Sequence, residues 1–322
     1  MDPRNWIEAE VVSRTALTPR IVMLELRDSD GSALPVFTAG SHIDVEIEPG
    51  MIRQYSLIDG VGDPAHYRIA VLREEESRGG SAAIHDRAAP GRILRIAAPR
   101  NNFRLAHSAR RSLLYAGGIG ITPILCMAER LLQAGADFKL HYGARRAEDA
   151  AFLAHIEERF AGRARFHFSR DQNGCKIDPA KDIPAFEDGH HLYVCGPAGF
   201  IQAVLDGADE RGWPSDNLHR EFFATPDDGE AAPAGAFSIK IASTGRILEV
   251  PADRSVIAVL AEAGIELPVS CEQGVCGTCV TAVLEGTPDH RDVFLTDAEH
   301  ARNDQFTPCC SRALTSLLVL DL

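Results

Sequence analysis

The chain has 322 residues, a net charge of −13, 45% hydrophobic residues and 25% charged ones. That length exceeds an ordinary single domain and predicts two or three, each with its own core. The acidic balance argues against nucleic acid or an anionic membrane as partner, and no apolar run approaches the roughly 20 residues of a membrane-spanning helix. The polar start Met1-Asp2-Pro3-Arg4-Asn5 does not read as a signal peptide, so a cytoplasmic protein is expected.

Residues 7–105 show short alternating runs, Ile21–Leu26, His42–Ile47 and Tyr67–Val71, separated by Gly, Pro and Asp turns. This spacing predicts an antiparallel β-barrel. From Ser112 the texture changes: apolar strands at Leu113–Ala116, Phe138–Tyr142 and Leu192–Val194 alternate with helical stretches at Pro123–Ala134, Glu148–Phe160 and Gly199–Arg211. Alternation of that kind predicts a doubly wound α/β domain with a parallel sheet. Thr225–Gly235 has linker composition. Beyond it, Phe237–Ile241 and Arg246–Val250 read as a hairpin, followed by a helix over Val256–Ala263 and a cysteine-rich loop. The expected boundaries are 1–105, 106–224, a linker over 225–236, and 237–322.

Several stretches carry chemistry. Arg53-Gln54-Tyr55-Ser56-Leu57 puts an aromatic ring, a hydroxyl and a guanidinium at one strand end. Such a set can cover an isoalloxazine, hydrogen-bond its N5 edge and neutralise a phosphate, although taken alone the pentapeptide is first an ordinary strand. Arg78-Gly79-Gly80-Ser81 precedes a helix through Ala82–Ala88 and offers a phosphate the N–H groups of a helix start; the plain alternative is a loop with a serine cap. Tyr115-Ala116-Gly117-Gly118-Ile119-Gly120-Ile121-Thr122-Pro123 joins a strand to a helix with Gly118 and Gly120 in the turn, but lacks the third glycine of the dinucleotide fingerprint. Cys195-Gly196-Pro197 repeats that layout at a second strand end. The histidines, His42, His66, His85 and His141 among them, show no ligand spacing and are read as surface or core residues, and Glu74-Glu75-Glu76 as a solvated loop.

Of eight cysteines, Cys126, Cys175 and Cys195 are scattered, which suits a reducing compartment. The others include Cys271, Cys276, Cys279 and Cys309, spaced C-x4-C-x2-C-x29-C. That is the thiolate pattern of a plant-type [2Fe-2S] cluster; a structural zinc site is the alternative, but zinc usually takes paired C-x2-C clips. Cys310 is the rival for the fourth position.

Taken in order, R-x-Y-S, R-G-G-S, G-G-I-G-I-T-P, C-G-P, a linker and C-x4-C-x2-C…C resemble the phthalate dioxygenase reductase family, including vanillate demethylase reductase components, over essentially the whole chain. The resemblance implies an FMN-binding barrel, an NAD-binding domain and a β-grasp ferredoxin domain. It assigns Arg53, Tyr55, Ser56 and Leu57, with Ala70 and Val71, to the flavin, and Gly79, Gly80 and Ser81 to its phosphate. Thr122 falls near the flavin, and Gly118, Gly120, Cys195, Gly196 and Pro197 around the nicotinamide nucleotide. Phe223 is the candidate for the aromatic ring that closes the nucleotide domain against the flavin. FMN is expected over FAD, since no adenine-binding insertion is visible.

Hydride carries two electrons and a [2Fe-2S] cluster accepts one, so a flavin must stand between them and no side chain need act as nucleophile or base. The expected function is the reductase component of a Rieske-type oxygenase, working as a monomer. Two alternatives stand beside it: a reductase for another acceptor such as a cytochrome P450, and a redox-sensing module without turnover. NADH is expected over NADPH. Ser169-Arg170 resembles the 2′-phosphate site of plant ferredoxin–NADP reductases, yet Asp171 would repel that phosphate and could accept from a ribose hydroxyl.

Overall fold

The computed structural model describes residues 5–58, 65–75, 79–171, 174–224 and 235–322. Arg78, Glu76 and the linker residues 225–234 lie outside them. The chain divides into two compact units, Arg4–Glu221 and Phe222–Leu322.

The first unit opens with a six-stranded antiparallel sheet. Its strands are β1 (Trp6–Thr18), β2 (Ile21–Asp28), β3 (His42–Glu48), β4 (Met51–Ser56), β5 (Tyr67–Leu72) and β6 (Ile93–Ala97), in the order β4-β3-β6-β1-β2-β5. The edge strands β4 and β5 approach each other, which curls the sheet into the expected barrel, and helix α1 (Gly80–Arg87) packs beside them. β1 escaped the sequence reading because two register shifts, at Val11/Ser13 and Ala16/Thr18, reset its alternation.

A second sheet in the same unit is parallel throughout. It contains β7 (Arg111–Gly117), β8 (Asp137–Ala144), β9 (Ala164–Phe168), β10 (His190–Cys195) and β11 (Leu218–Glu221), ordered β11-β10-β7-β8-β9. Strand order runs outward from β7 in one direction and resumes from β10 in the other. A crevice therefore opens at the carboxyl ends of β7 and β10, where such sheets bind their ligands. Helices α2 (Ile121–Gln133), α3 (Leu153–Arg159), α4 (Pro179–Asp182) and α5 (Ala198–Asp209) connect the strands. α3 is shorter than the predicted Glu148–Phe160, because Phe152 takes a left-handed φ of 61° and separates it from a single 3-10 turn at Ala147–Asp149. Buried side chains of both sheets, among them Leu24, Ile43 and Tyr193, form one continuous core with Met127 of α2 and Phe103 of the segment between β6 and β7.

The second unit has its own core around Ile239, Val256, Leu260, Phe306 and Leu318. A mixed sheet orders β12 (Phe237–Ile241), β13 (Ile247–Val250), β14 (Thr281–Glu285), β16 (Gln305–Phe306) and β18 (Leu317–Leu320) as β13-β12-β18-β14-β16, and β15 (Pro288–Asp289) pairs with β17 (Arg312–Ala313). The first and last strands, β12 and β18, run parallel at the centre, with α6 (Val256–Glu262) packed on β13 and α7 (Asp297–Arg302) by β16. This is the β-grasp ferredoxin arrangement expected from the sequence.

Candidate functional site

At the crevice of the first unit the two strand ends meet closely. Cys195 pairs with Ala116 across β10 and β7, and with Glu221 across β10 and β11. A Cβ on Gly120 would fall 2.3 Å from the carbonyl oxygen of Cys195, so only glycine lets the turn after β7 lie against the end of β10. Thr122 is buried, and its Oγ1 donates to the carbonyl of Ile119 at 3.1 Å, tying the start of α2 to that turn. Phe200, which the sequence reading did not single out, fills the space where side chains on Gly117 or Gly196 would stand.

The end of β4 comes to the same place. Ser56 is buried and its Oγ donates to Oε2 of Glu221 at 3.5 Å. Glu221 as a residue is partly exposed, but its carboxyl is enclosed, and that burial pushes its pKa up to about 8, with the Ser56 hydrogen bond pulling the other way. Burial first, and Glu221 second, push the Cys195 thiol well up, so it stays a neutral thiol and not a thiolate. Sequence reasoning missed Glu221, because nothing in Leu218–Glu221 marks its carboxyl as facing a serine far away in the chain.

Tyr55 precedes Ser56 on β4, and burial raises its phenol. Leu57, Ala70 and Val71 are buried, with Val71 held by His85, whose Nε2 is 2.9 Å from its carbonyl. Gly79, with φ 87°, begins α1 without a side-chain cap; Ser81 does not cap the helix but accepts from the Glu74 amide at 3.1 Å. The Arg53 side chain occupies the space where a Gly80 side chain would be. A guanidinium beside an uncapped helix start fits a phosphate. Gly118 has a φ of 54° in the turn after β7, and Pro197 is the N-cap of α5. Further along the sheet, Asp171 lines an open hollow of about 460 Å³ with Arg146, Ala147, Glu148 and Arg170, and its Oδ2 accepts from the Ala147 amide at 3.2 Å. Phe223 lies two residues past Glu221 and is 40% exposed.

In the second unit the cysteines converge. The Cys309 thiol is in hydrogen-bonding reach of Cys271, Cys279 and Cys310, and Cys271 in turn of Cys276. The amides of Gln273 and Thr278 point at the sulfurs of Cys271 and Cys276, at 3.3 and 3.5 Å. Crowding against Cys271, then burial, pushes the Cys276 thiol far up, so its thiolate needs a cation beside it. Gly274, with φ 70°, is packed so closely that a side chain there would strike Cys310 and Asp292. Four converging sulfurs with amides aimed at them fit a [2Fe-2S] cluster.

Comparison with known proteins agrees with this geometry. Residues 114–206 match the model of the oxidoreductase NAD-binding domain, and 239–314 that of the 2Fe-2S iron-sulfur cluster binding domain. The chain is 51% identical to the vanillate O-demethylase oxidoreductase of a Pseudomonas species over 98% of its length and 100% of the relative's, and 53% identical to that of Pseudomonas putida with the same coverage. The solved phthalate dioxygenase reductase, described as a modular structure for electron transfer from pyridine nucleotides to [2Fe-2S], aligns over 99% of this chain and 98% of its own, with 34% identity and a TM-score of 0.76. The chain belongs to the phthalate dioxygenase reductase family. This reductase is an NAD-binding iron–sulfur oxidoreductase of the kind that serves an oxygenase, and its family implies a flavin. An intact type IV self-sufficient cytochrome P450 monooxygenase is also similar, with TM-score 0.87 and 36% identity over 98% of this chain but 41% of that one. Among the described residues no helix is long and apolar enough to cross a membrane.

Proposed function

We propose that the reductase takes hydride from NADH onto FMN and sends electrons singly through its cluster to a Rieske-type oxygenase that demethylates a vanillate-like aromatic acid. The convergence of Ser56, Cys195 and Glu221 at the sheet crevice, on a chain that also carries a four-cysteine cage, carries this reading. Similarity above 50% to two vanillate O-demethylase oxidoreductases over nearly their full length supports the acceptor. FMN, when bound, would convert the two-electron input of hydride into one-electron output.

The remaining work falls to the chain. Arg53, Gly79, Gly80 and Ser81 would hold the flavin phosphate, while Tyr55, Leu57, Ala70 and Val71 pack its ring and Ser56 hydrogen-bonds its reactive edge. Gly118, Gly120, Gly196 and Pro197 let the nicotinamide nucleotide lie on backbone, and the neutral Cys195 thiol closes the pocket without competing as a nucleophile. The Glu221 carboxyl, neutral at neutral pH, accepts from the Ser56 hydroxyl and so holds it in place without putting a negative charge beside hydride transfer. Domains of 1–105, 106–224 and 237–322, joined by the linker 225–236, correspond to these three tasks.

Anaerobic addition of NADH tests the reading: both flavin and cluster absorbance bleach within the time of turnover, whereas an unbleached protein would indicate a redox-sensing module. NADH should exceed NADPH in kcat/KM, because the Asp171 carboxylate, next to Arg170 in the hollow, would repel a 2′-phosphate and could accept from a ribose hydroxyl. The likeness to a self-sufficient P450 supports a second reading, a haem monooxygenase as acceptor. Reduction of one purified acceptor and not the other decides between them.

A further inference from the structure

The ferredoxin unit brings together three side chains that their spacing in sequence does not connect. β15 leads into His290 and Asp292, and α7 presents His300. Oδ1 of Asp292 lies 3.3 Å from His300 Nε2 and 3.8 Å from His290 Nδ1, and the three donor atoms are all within 4.8 Å of one another. The expectation that no histidines share a ligand arrangement does not hold for this pair.

The carboxylate is fully buried and pinned. Its Oδ2 accepts from the Leu295 amide at 2.8 Å, and Ser311 Oγ donates to Oδ1 at 3.4 Å. Asn303 fixes the neighbouring ring: its Nδ2 donates to the Ala301 carbonyl at 3.3 Å, which turns Oδ1 toward His290 Nε2, also at 3.3 Å. His290 therefore donates through Nε2. Its Nδ1, on a side chain only 10% exposed, is buried, receives no hydrogen bond and faces a carboxylate oxygen. A lone pair turned toward an anion in a dry site is costly unless a cation lies between them.

We propose that His290 Nδ1, His300 Nε2 and Asp292 Oδ1 bind one divalent transition metal, separate from the cysteine cage. Two imidazoles and a carboxylate suit a borderline ion such as Zn²⁺, and the Asn303 and Leu295 contacts are the outer hydrogen bonds that orient such ligands. Zinc bonds of about 2.0–2.1 Å put neighbouring donors about 3.3 Å apart, so the His300–Asp292 pair is already spaced, while His290 has roughly half an ångström to close on Asp292 and must also draw nearer His300, from which its donor atom lies within 4.8 Å. The two rings stack at 4.3 Å with planes 26° apart, and must turn for their lone pairs to converge. His300, a quarter exposed on the short helix α7, has room to do so. The metal would join the 290–292 segment to α7 directly behind the cluster loop, since Asp292 packs against Gly274 and the Val293 amide donates to the Gly274 carbonyl at 3.1 Å.

Full-length protein loaded with flavin and iron, stripped of loosely held metal and dialysed against Zn²⁺, tests this by elemental analysis and zinc X-ray absorption. One zinc per chain should be retained with iron content unchanged, in a shell of nitrogen and oxygen at about 2.0–2.1 Å without sulfur. His300→Gln, on the exposed helix, should keep its iron and its NADH-dependent dye reduction while zinc binding weakens by about tenfold or more. His290→Gln serves as the second variant. Absence of retained zinc, as a site that takes up only protons would give, overturns the proposal. So does sulfur in the zinc shell, or equal retention by both variants.

Discussion

Cys309 and Cys310 are adjacent and their sulfurs are within reach of each other, but Cys309 also reaches Cys271 and Cys279, whereas Cys310 sits 3.3 Å from Thr307 Oγ1 and against Gly274. Cys309→Ser should lose the cluster and its iron, and Cys310→Ser should keep both, as read by iron content and visible absorption. Retention by the Cys309 variant would reassign the fourth ligand. Glu221 yields a second expectation. Its carboxyl has an ordinary pKa of 4.5 when unfolded and about 8 when folded, so the folded state binds more protons between those values. Stability is therefore full below about pH 4.5, falls as pH rises toward 8 and levels off above, a loss on the order of a few kcal/mol. Glu221→Gln, which stays neutral, should flatten this part of the pH profile in thermal melts and outlast the parent at pH 9, while hydride transfer from NADH loses its break near pH 8. A variant with an unchanged profile would show that the carboxyl is not enclosed in solution.

Elements divide into those that local pattern predicts and those that only pairing produces. Long apolar runs such as Leu113–Ala116 and the amphipathic stretch of α2 were legible, because burial on both faces or on one stripe imposes its own period. β16 and β17, two residues each, carry no period at all and exist because β14 and β15 lie beside them. The junction after Glu221 lies at this scale as well. Each unit has a separate core, so cutting the chain within Thr225–Gly235 should release a flavoprotein that still reduces small dyes with NADH. It should reduce an oxygenase or cytochrome c at a small fraction of the parent rate. Full activity toward protein acceptors would place the electron exit elsewhere than the cysteine loop.

For the whole molecule, the charge of the ferredoxin unit yields an expectation about the encounter with an acceptor. Between Phe237 and Leu322 there are 12 Asp and Glu against six Lys and Arg. A net negative ferredoxin unit should steer a basic partner toward its redox centre, so the second-order rate of oxygenase reduction should fall as salt rises through about 0.1 M, where the Debye length is about 10 Å. A rate indifferent to salt would reduce the acidity to a solubility feature.

Sequence alone determined the three-part architecture and the cofactor chemistry. Cysteine spacing, glycine turns and hydrophobic period are constraints between near neighbours, and each is visible wherever it occurs. Tertiary structure decided what depends on distant chain meeting: Glu221 facing Ser56, Phe200 lying over Gly117 and Gly196, and Asp292 set between His290 and His300. An isolated carboxylate or imidazole looks the same in sequence whether it faces water or a buried partner. Its environment, and with it its proton affinity and its capacity to hold a metal, comes into being only when folding removes the water.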